Sequence, residues 1–114
     1  MIVLGIASSV QARVANAHLQ TTDYYVFTED IHGTHKFFSG SNSSSSKYHV
    51  YFTVRYREGD LWKEDFQVLL PNGEKVPETR TTHRFAYETD WHVKLNPKGT
   101  LKRDCEAWAF IWNA

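Results

Sequence analysis

Four polar side chains recur at alternate positions of one segment, and their types could perform acid–base chemistry. They occupy even positions of the stretch RFAYETDWHVKL: Arg84, Glu88, Asp90 and His92. If this segment is a β-strand, the four side chains share one face, and such a set could catalyse hydrolysis, as on the sheets of small secreted ribonucleases. The same pattern is typical of a solvated sheet face with cross-strand ion pairs. The sequence supplies no second base or substrate pocket, which favours the solvated face.

Metal and cofactor sites are not predicted. His32 and His35 form an H-x-x-H pattern, but no third ligand follows at a regular spacing. His18 could serve as an N-terminal copper ligand only if the first 17 residues were removed. The expected cofactor and metal content is therefore none.

Two further positions carry covalent chemistry. Asn42-Ser43-Ser44 is an N-x-S acceptor in a polar, serine-rich stretch, the setting for a glycan if the chain is secreted. Cys105 is the single cysteine, which excludes an internal disulfide. It lies in the apolar run CEAWAFIW, so we predict a small buried hydrophobe there.

Length and charge limit the class of protein. The chain has 114 residues, enough for one domain with its own core, and its 13 basic residues balance its 13 acidic ones. Such a balance argues against nucleic-acid binding. No apolar run approaches the roughly 20 residues that span a bilayer, so we expect no membrane insertion.

Alternating hydrophobicity predicts the elements that must position these residues. Residues 48–70 read as a hairpin, with a turn at 57–60 and with Trp62, Phe66, Val68 and Leu70 on one face of its second strand. Residues 84–95 form another alternating strand, and 22–27 a short one. The run 105–112 is apolar on both faces, as in a central strand or one covered by another element. A flexible loop is expected at 40–46.

About six short strands separated by turns predict an all-β fold, an antiparallel sandwich or barrel. The first 17 residues are the exception, because apolar side chains recur there every fourth position on one side of a predicted helix. The stripe consists of Ile2, Ile6, Val10 and Val14, with Val3 beside it. We therefore predict an N-terminal helix at 1–17 and a sandwich domain at 18–114.

The opening stretch MIVLGIASSVQARVANA also resembles a secretory signal that ends at an A-x-A cleavage site. A signal needs an early positive charge and an apolar core of 7 to 15 residues. This stretch has no early Lys or Arg, and its apolar core stops at Ala7. We therefore expect the segment to be retained.

Aromatic residues are abundant, at 15% of the chain, and include four tryptophans. Half or more should fill the core, while rings left at the surface are suited to binding sugar faces or partner proteins. Trp108 and Trp112 lie on the same side of the last predicted strand. They are the ones most expected to face away from the opposing sheet.

The order of these parts resembles the fungal immunomodulatory proteins over nearly the whole chain. The most specific stretch is YFTVRYREGDLWKEDFQVLLPNGEKV at 51–76, where Phe66-Gln67-Val68 and the turn 72–76 fit the family pattern. AFIWNA at the C-terminus resembles the family's I-I-A-x-W-N ending. One departure is plain, because the family's T-P-N-W-G-R-G loop after the Asp-Tyr pair is replaced here by Tyr25-Val26-Phe27-Thr28.

The resemblance implies an immunoglobulin-like, fibronectin III-type sandwich that dimerises through the N-terminal helix. It also implies an extracellular, non-enzymatic, lectin-like protein that binds cell-surface glycans or glycoproteins. Trp112 is the clearest match to the family's sugar site, and Trp91 is a second candidate. The dimer would use Ile2, Val3, Ile6, Val10 and Val14. Two alternatives stay open: a small secreted hydrolase that uses the charged face of 84–94, and a protein-binding or inhibitory module.

Overall fold

A computed structural model describes residues 13–82 and 88–114 of the chain. The described residues form no helix and nine strands: β1 (Val14–Leu19), β2 (Val26–Phe27), β3 (Ile31–Gly33), β4 (Lys36–Asn42), β5 (Val50–Glu58), β6 (Leu61–Leu70), β7 (Lys75–Arg80), β8 (Thr89–Pro97) and β9 (Ala107–Asn113). All strand pairs are antiparallel. The all-β prediction is confirmed.

Two sheets pack face to face as a sandwich. One, named here the β9 sheet, has the order β1-β9-β4-β7. The other, the β8 sheet, has the order β2-β8-β5-β6, and β3 also pairs with β8. Each sheet therefore has an inner face on the core and an outer face.

The core lies between the two sheets and is built from alternate residues of the long strands. Its largest fully buried hydrophobic side chains are Trp91, Phe38, Phe52, Leu19, Leu95 and Ile111. The ring of Phe38 packs against those of Phe52 and Phe66, with centroid distances of 5.9 and 4.9 Å. The period-two pattern predicted this assignment for β5 and β8, because Val50, Phe52, Trp91 and Val93 all point inward.

The hairpin predicted at 48–70 is confirmed, but the face assigned to Trp62 is wrong. The register between β5 and β6 shifts at Val54/Arg55, so that Phe66 pairs with Val54 whereas Glu64 pairs with Arg55. Asp65 is the extra residue of this β-bulge. Trp62 therefore points to the outer face, on the opposite side of the strand from Phe66.

The helix predicted at 1–17 is wrong in its last four residues, because Val14–Leu19 forms β1. Ala15, Ala17 and Leu19 alternate inward, and every residue of β1 pairs with β9. This pairing imposes a period of two on residues that also fit the helical stripe. Val14 is 48% exposed in the strand, whereas Ile2, Val3, Ile6 and Val10 lie outside the described residues.

The loop expected at 40–46 is wrong in its first three residues, since Gly40–Asn42 belong to β4. Glycine and serine have low strand propensity, but here they are held between β9 on one side and β7 on the other. The strand expected at 22–27 is reduced to Val26–Phe27. The run 105–112 is correctly predicted as a central strand, because β9 lies between β1 and β4.

Candidate functional site

Aromatic side chains line the outer face of the β9 sheet. Along β9 the aliphatic residues Ala107, Ala109 and Ile111 point into the core and are fully buried, so the aromatic residues that alternate with them point outward. We name this surface the aromatic face and define it by Trp108, Phe110, Trp112, Phe37 and His18. It results directly from a central strand that is apolar on both sides.

The strands on either side fix the positions of these rings. Phe37 on β4 is opposite Trp112, with ring centroids 6.1 Å apart and planes tilted by 32°. His18 on β1 is opposite Trp108 and stacks on it, with centroids 5.0 Å apart and planes 9° from parallel. His18 Nε2 also lies 2.8 Å from Glu106 Oε2. The rings are therefore held in place while Trp108 and Trp112 remain half-exposed.

A shallow groove of about 430 Å³ runs beside the rings, between β4 and β7. Its walls include Ser39, Ser41, Lys75, Pro77, Phe110 and Trp112. The register of β4 against β7 shifts between Phe38 and Gly40, and such a shift bends a strand away from its partner. Hydroxyl groups and flat rings therefore lie next to each other on this face, and the groove is also lined by one cation, Lys75, and one anion, Glu78.

Gly40 is required beneath this groove. A Cβ atom at this position would collide with the ring of Phe52 and would lie 2.6 Å from the carbonyl oxygen of Trp108. The glycine thus lets the aromatic strand β9 lie close to β4 over the core.

The second predicted sugar-site residue, Trp91, does not reach the surface. Its side chain is fully buried, packs against Tyr56 at 5.5 Å, and donates its Nε1–H to the carbonyl oxygen of Gly33 at 3.0 Å. The assignment of Trp91 to sugar binding is therefore wrong in this structure. Trp112, in contrast, lies on the aromatic face.

A different group of residues occupies the outer face of the β8 sheet. Aromatic rings and positively charged groups alternate there around one histidine. We name this surface the cation face and define it by Arg55, Lys94, His92, Tyr25, Phe27 and Trp62. Four of these, Arg55, His92, Lys94 and Phe27, come from β5, β8 and β2, which the register places side by side.

His92 lies at the centre of the cation face and is covered by its neighbours. Trp62 stacks on its ring at a centroid distance of 3.8 Å, and Phe27 lies at 5.0 Å. Arg55 Nε donates to His92 Nε2 at 2.9 Å, so that nitrogen acts as the acceptor. The proton therefore lies on Nδ1, which faces Asp30 Oδ1 at 3.4 Å.

Burial, reinforced by the positive charge of Arg55, lowers the pKa of His92 to about 4. The imidazole is thus neutral near pH 7 and serves as an acceptor for the guanidinium. A general base must reach its substrate, but both nitrogens of His92 already have partners and its side chain is only 7% exposed. The predicted solvated position of His92 is therefore wrong.

The remaining charged residues predicted for this strand lie elsewhere on the face. Asp90 Oδ1 is 2.9 Å from Nδ1 of His32, and Glu88 Oε2 is 4.0 Å from Nε2 of the same histidine. The contact between Asp90 and His32 is a cross-strand contact, since β3 pairs with β8, and it fits the alternative of a polar sheet face. Arg84 lies outside the described residues.

Three other positions were considered for metal binding or glycan attachment: His32, His35 and Asn42. His32 and His35 belong to no metal-binding group, since the part of the chain that the structure describes contains no cluster of three or more His, Cys, Asp or Glu. Asn42 is 2% exposed, and its Nδ2 donates to the carbonyl oxygen of Leu70 at 3.0 Å. A buried, hydrogen-bonded amide is no glycan acceptor in the folded protein, so the accessible polar setting predicted for Asn42 is wrong.

Cys105 is fully buried, as predicted. Its Sγ–H donates to the carbonyl oxygen of Tyr48 at 3.3 Å, and the Tyr48 amide lies 3.4 Å from the same sulfur.

The comparisons with known proteins do not identify the site. No protein-family model matches the chain, and no curated protein sequence is similar to it. Among residues 13–82 and 88–114, no helix is long and apolar enough to cross a membrane.

Proposed function

We propose that the protein is a lectin-like, non-enzymatic binding protein that recognises neutral sugar residues of glycans or glycoproteins on its aromatic face. The observation that carries the proposal is the row of outward rings on β9, next to the hydroxyl groups of Ser39 and Ser41. Flat rings bind the apolar face of a sugar, and nearby hydroxyls exchange hydrogen bonds with its hydroxyl groups. The site needs no cofactor.

The dimensions of the row support a chain of sugars as ligand. Trp108 and Trp112 are four residues apart on one strand, which corresponds to about 13 Å. This length accommodates more than one sugar ring, with Phe110 between the two ends.

The resemblance to the fungal immunomodulatory proteins gives the proposal its biological setting. The proposal therefore includes an immunoglobulin-like arrangement of the strands, an extracellular location and a homodimer formed through Ile2, Val3, Ile6 and Val10. Light scattering tests the dimer. The paired substitution of Ile6 and Val10 by Asp should halve the mass, whereas an unchanged dimer mass would contradict this part.

Glycan-array screening followed by calorimetry tests the sugar site. The variant Trp112→Ala should weaken binding of the best neutral glycan about tenfold or more, because its platform is removed. Trp112→Phe should retain part of the affinity. Trp62→Ala is the matched control, because it removes an outward tryptophan from the opposite face and should leave neutral-glycan binding unchanged.

Three results would overturn the proposal. A silent array would favour a module that binds one protein partner. Unchanged affinity in a folded Trp112→Ala variant would place the sugar elsewhere. Cleavage of RNA that disappears in His92→Ala would instead favour the hydrolase.

A further inference from the structure

Two positive charges on the cation face have no acidic partner among the residues that the structure describes. Arg55 and Lys94 point outward from neighbouring strands of the β8 sheet. Neither forms an ion pair with a carboxylate in residues 13–82 and 88–114, although Glu64 is opposite Arg55 in the register. The sequence outside these ranges contains no Asp or Glu.

Aromatic rings hold both charges in place. The Arg55 Cζ atom lies 5.5 Å from the centroid of Phe27 and 5.7 Å from that of Trp62. The Lys94 Nζ atom lies 5.7 Å from the ring of Tyr25 and 5.8 Å from that of Phe27. Cation–π contacts of this kind position a cation without neutralising it. Tyr25 and Phe27 are themselves 58% and 39% exposed, so the rings are also available to a ligand.

The guanidinium of Arg55 is oriented before any ligand arrives. Its Nε is fixed by His92, which is itself held by Asp30 and covered by Trp62. This bond uses one of the five N–H donors and leaves the two terminal nitrogens for an anion. Because the fixing partner is a neutral imidazole, it orients the guanidinium while the positive charge stays unpaired. The charges of Arg55 and Lys94 both act to lower the pKa of His92, which shows that the two cations share one local field.

From this arrangement we infer that the cation face is a second binding site, for an acidic sugar residue whose carboxylate or sulfate is held by Arg55 and Lys94. A guanidinium binds such groups with two parallel hydrogen bonds, while Phe27 and Tyr25 offer a platform for the sugar ring. The preference for a sugar over another anionic ring rests on the proposed function; the preference for an anion rests on the unpaired cations.

The surrounding acids limit the ligand to a single anionic group. Asp30, Glu64 and Asp90 lie on the same face. They would repel a long polyanion such as a nucleic acid, whereas one carboxylate between the two cations remains favourable. The balanced net charge of the chain agrees with this limit.

Calorimetry with matched ligands tests the inference. An oligosaccharide containing uronic acid is compared with the same oligosaccharide as its methyl ester, and a sulfated oligosaccharide is compared with its desulfated form. The carboxylated or the sulfated ligand should bind about tenfold or more tightly than its neutral counterpart, and the difference should shrink in high salt. Equal affinity within both pairs would overturn the inference.

Substitutions on the face provide the second arm. Lys94→Gln should weaken binding of the acidic ligand several-fold. Arg55→Gln should weaken it further, and Arg55→Lys should only partly restore it, since a lysine lacks the planar fork. Lys98→Gln, on an exposed turn, is the matched control of equal charge change. Unchanged binding in both Lys94→Gln and Arg55→Gln, with folding verified by circular dichroism, would overturn the site.

The proposed sugar site on the aromatic face and the proposed anion site on the cation face can be disproved independently of each other. Trp112→Ala should leave binding of the acidic ligand intact. If Trp112→Ala abolishes it while Arg55→Gln does not, the anion site is wrong and the sugar site on the aromatic face stands.

Discussion

The two outer faces of the sandwich contain the same kinds of rings but use them differently. On the aromatic face, Trp112 and Phe110 lie beside serine hydroxyls. On the cation face, Phe27 is as exposed as Phe110, at 39%, but it lies beside Arg55, and Trp62 covers His92. The neighbours of an aromatic ring, rather than its presence at a surface, therefore determine which ligand the ring suits.

The largest expected effect is the loss of stability when Gly40, which lies beneath the aromatic face only, is substituted. Gly40→Ala places a Cβ against Phe52 and the Trp108 carbonyl, so β9 and its outward rings must shift. We expect the free energy of unfolding to fall by about 3 kcal/mol, measured by urea denaturation. Binding on the aromatic face should weaken in the same variant.

Gly59→Ala is the control for Gly40→Ala. Gly59 has a positive φ of 63°, but an added Cβ would meet no atom within 4 Å. Its cost should be that of the left-handed backbone alone, about 1 to 2 kcal/mol. Equal losses in the two variants would contradict the steric role assigned to Gly40.

The second effect concerns the cation face and depends on pH. The pKa of His92 is about 4 in the folded protein against about 6.5 in an unfolded chain, so the unfolded state binds more protons between these values. The stabilisation is complete above pH 6.5 and is lost as the pH falls to 4. It amounts to about 3 kcal/mol.

Urea unfolding at pH 7 and pH 4 measures this loss. Wild type should lose about 3 kcal/mol more than His92→Gln between the two pH values, because the glutamine does not titrate. Trp112→Ala should retain the full wild-type loss, since it changes the other face. An identical loss in wild type and His92→Gln would show that His92 titrates normally.

The smallest effect is expected for an ion pair on the aromatic face. His18 and Glu106 are 2.8 Å apart, but their side chains are 40% and 37% exposed. Exposed pairs contribute little because water and salt screen them. Glu106→Gln should therefore lower the free energy of unfolding by about 0.5 kcal/mol at most, whereas a loss of several kcal/mol would show that this pair anchors the face.

Much of the sandwich was predictable where hydrophobic alternation is strong. The hairpin of β5 and β6 and the inward residues of β8 follow from period-two patterns, and the central place of β9 follows from a run that is apolar on both faces. Among the strands that were missed or cut short, β4 lacks such a pattern, whereas β1 alternates at Ala15, Ala17 and Leu19 but was assigned to the end of the predicted helix. Gly40 and Ser41 become strand residues only because β9 and β7 pair with them on both sides, and this is information that a local stretch does not contain.

The candidate sites show the same division. Trp112 was proposed for the sugar site from the resemblance alone, whereas its outward position was predictable because β9 is apolar on both faces. Trp62 was assigned to the wrong face because one extra residue, Asp65, reverses the alternation, and a bulge leaves little trace in a hydrophobic pattern. The burial of His92 depends on rings from β2 and β6, which only the tertiary fold brings together.

The single cysteine is buried, so the rate at which its thiol is labelled can report on opening of the native structure. Cys105 is bonded through its sulfur to Tyr48, at the place where the chain passes from one sheet to the other. Its side chain has no exposed surface, so a thiol reagent can reach it only when the structure around it opens. The rate at which the reagent labels the native protein therefore reports how often the region around Cys105 opens, with no residue changed.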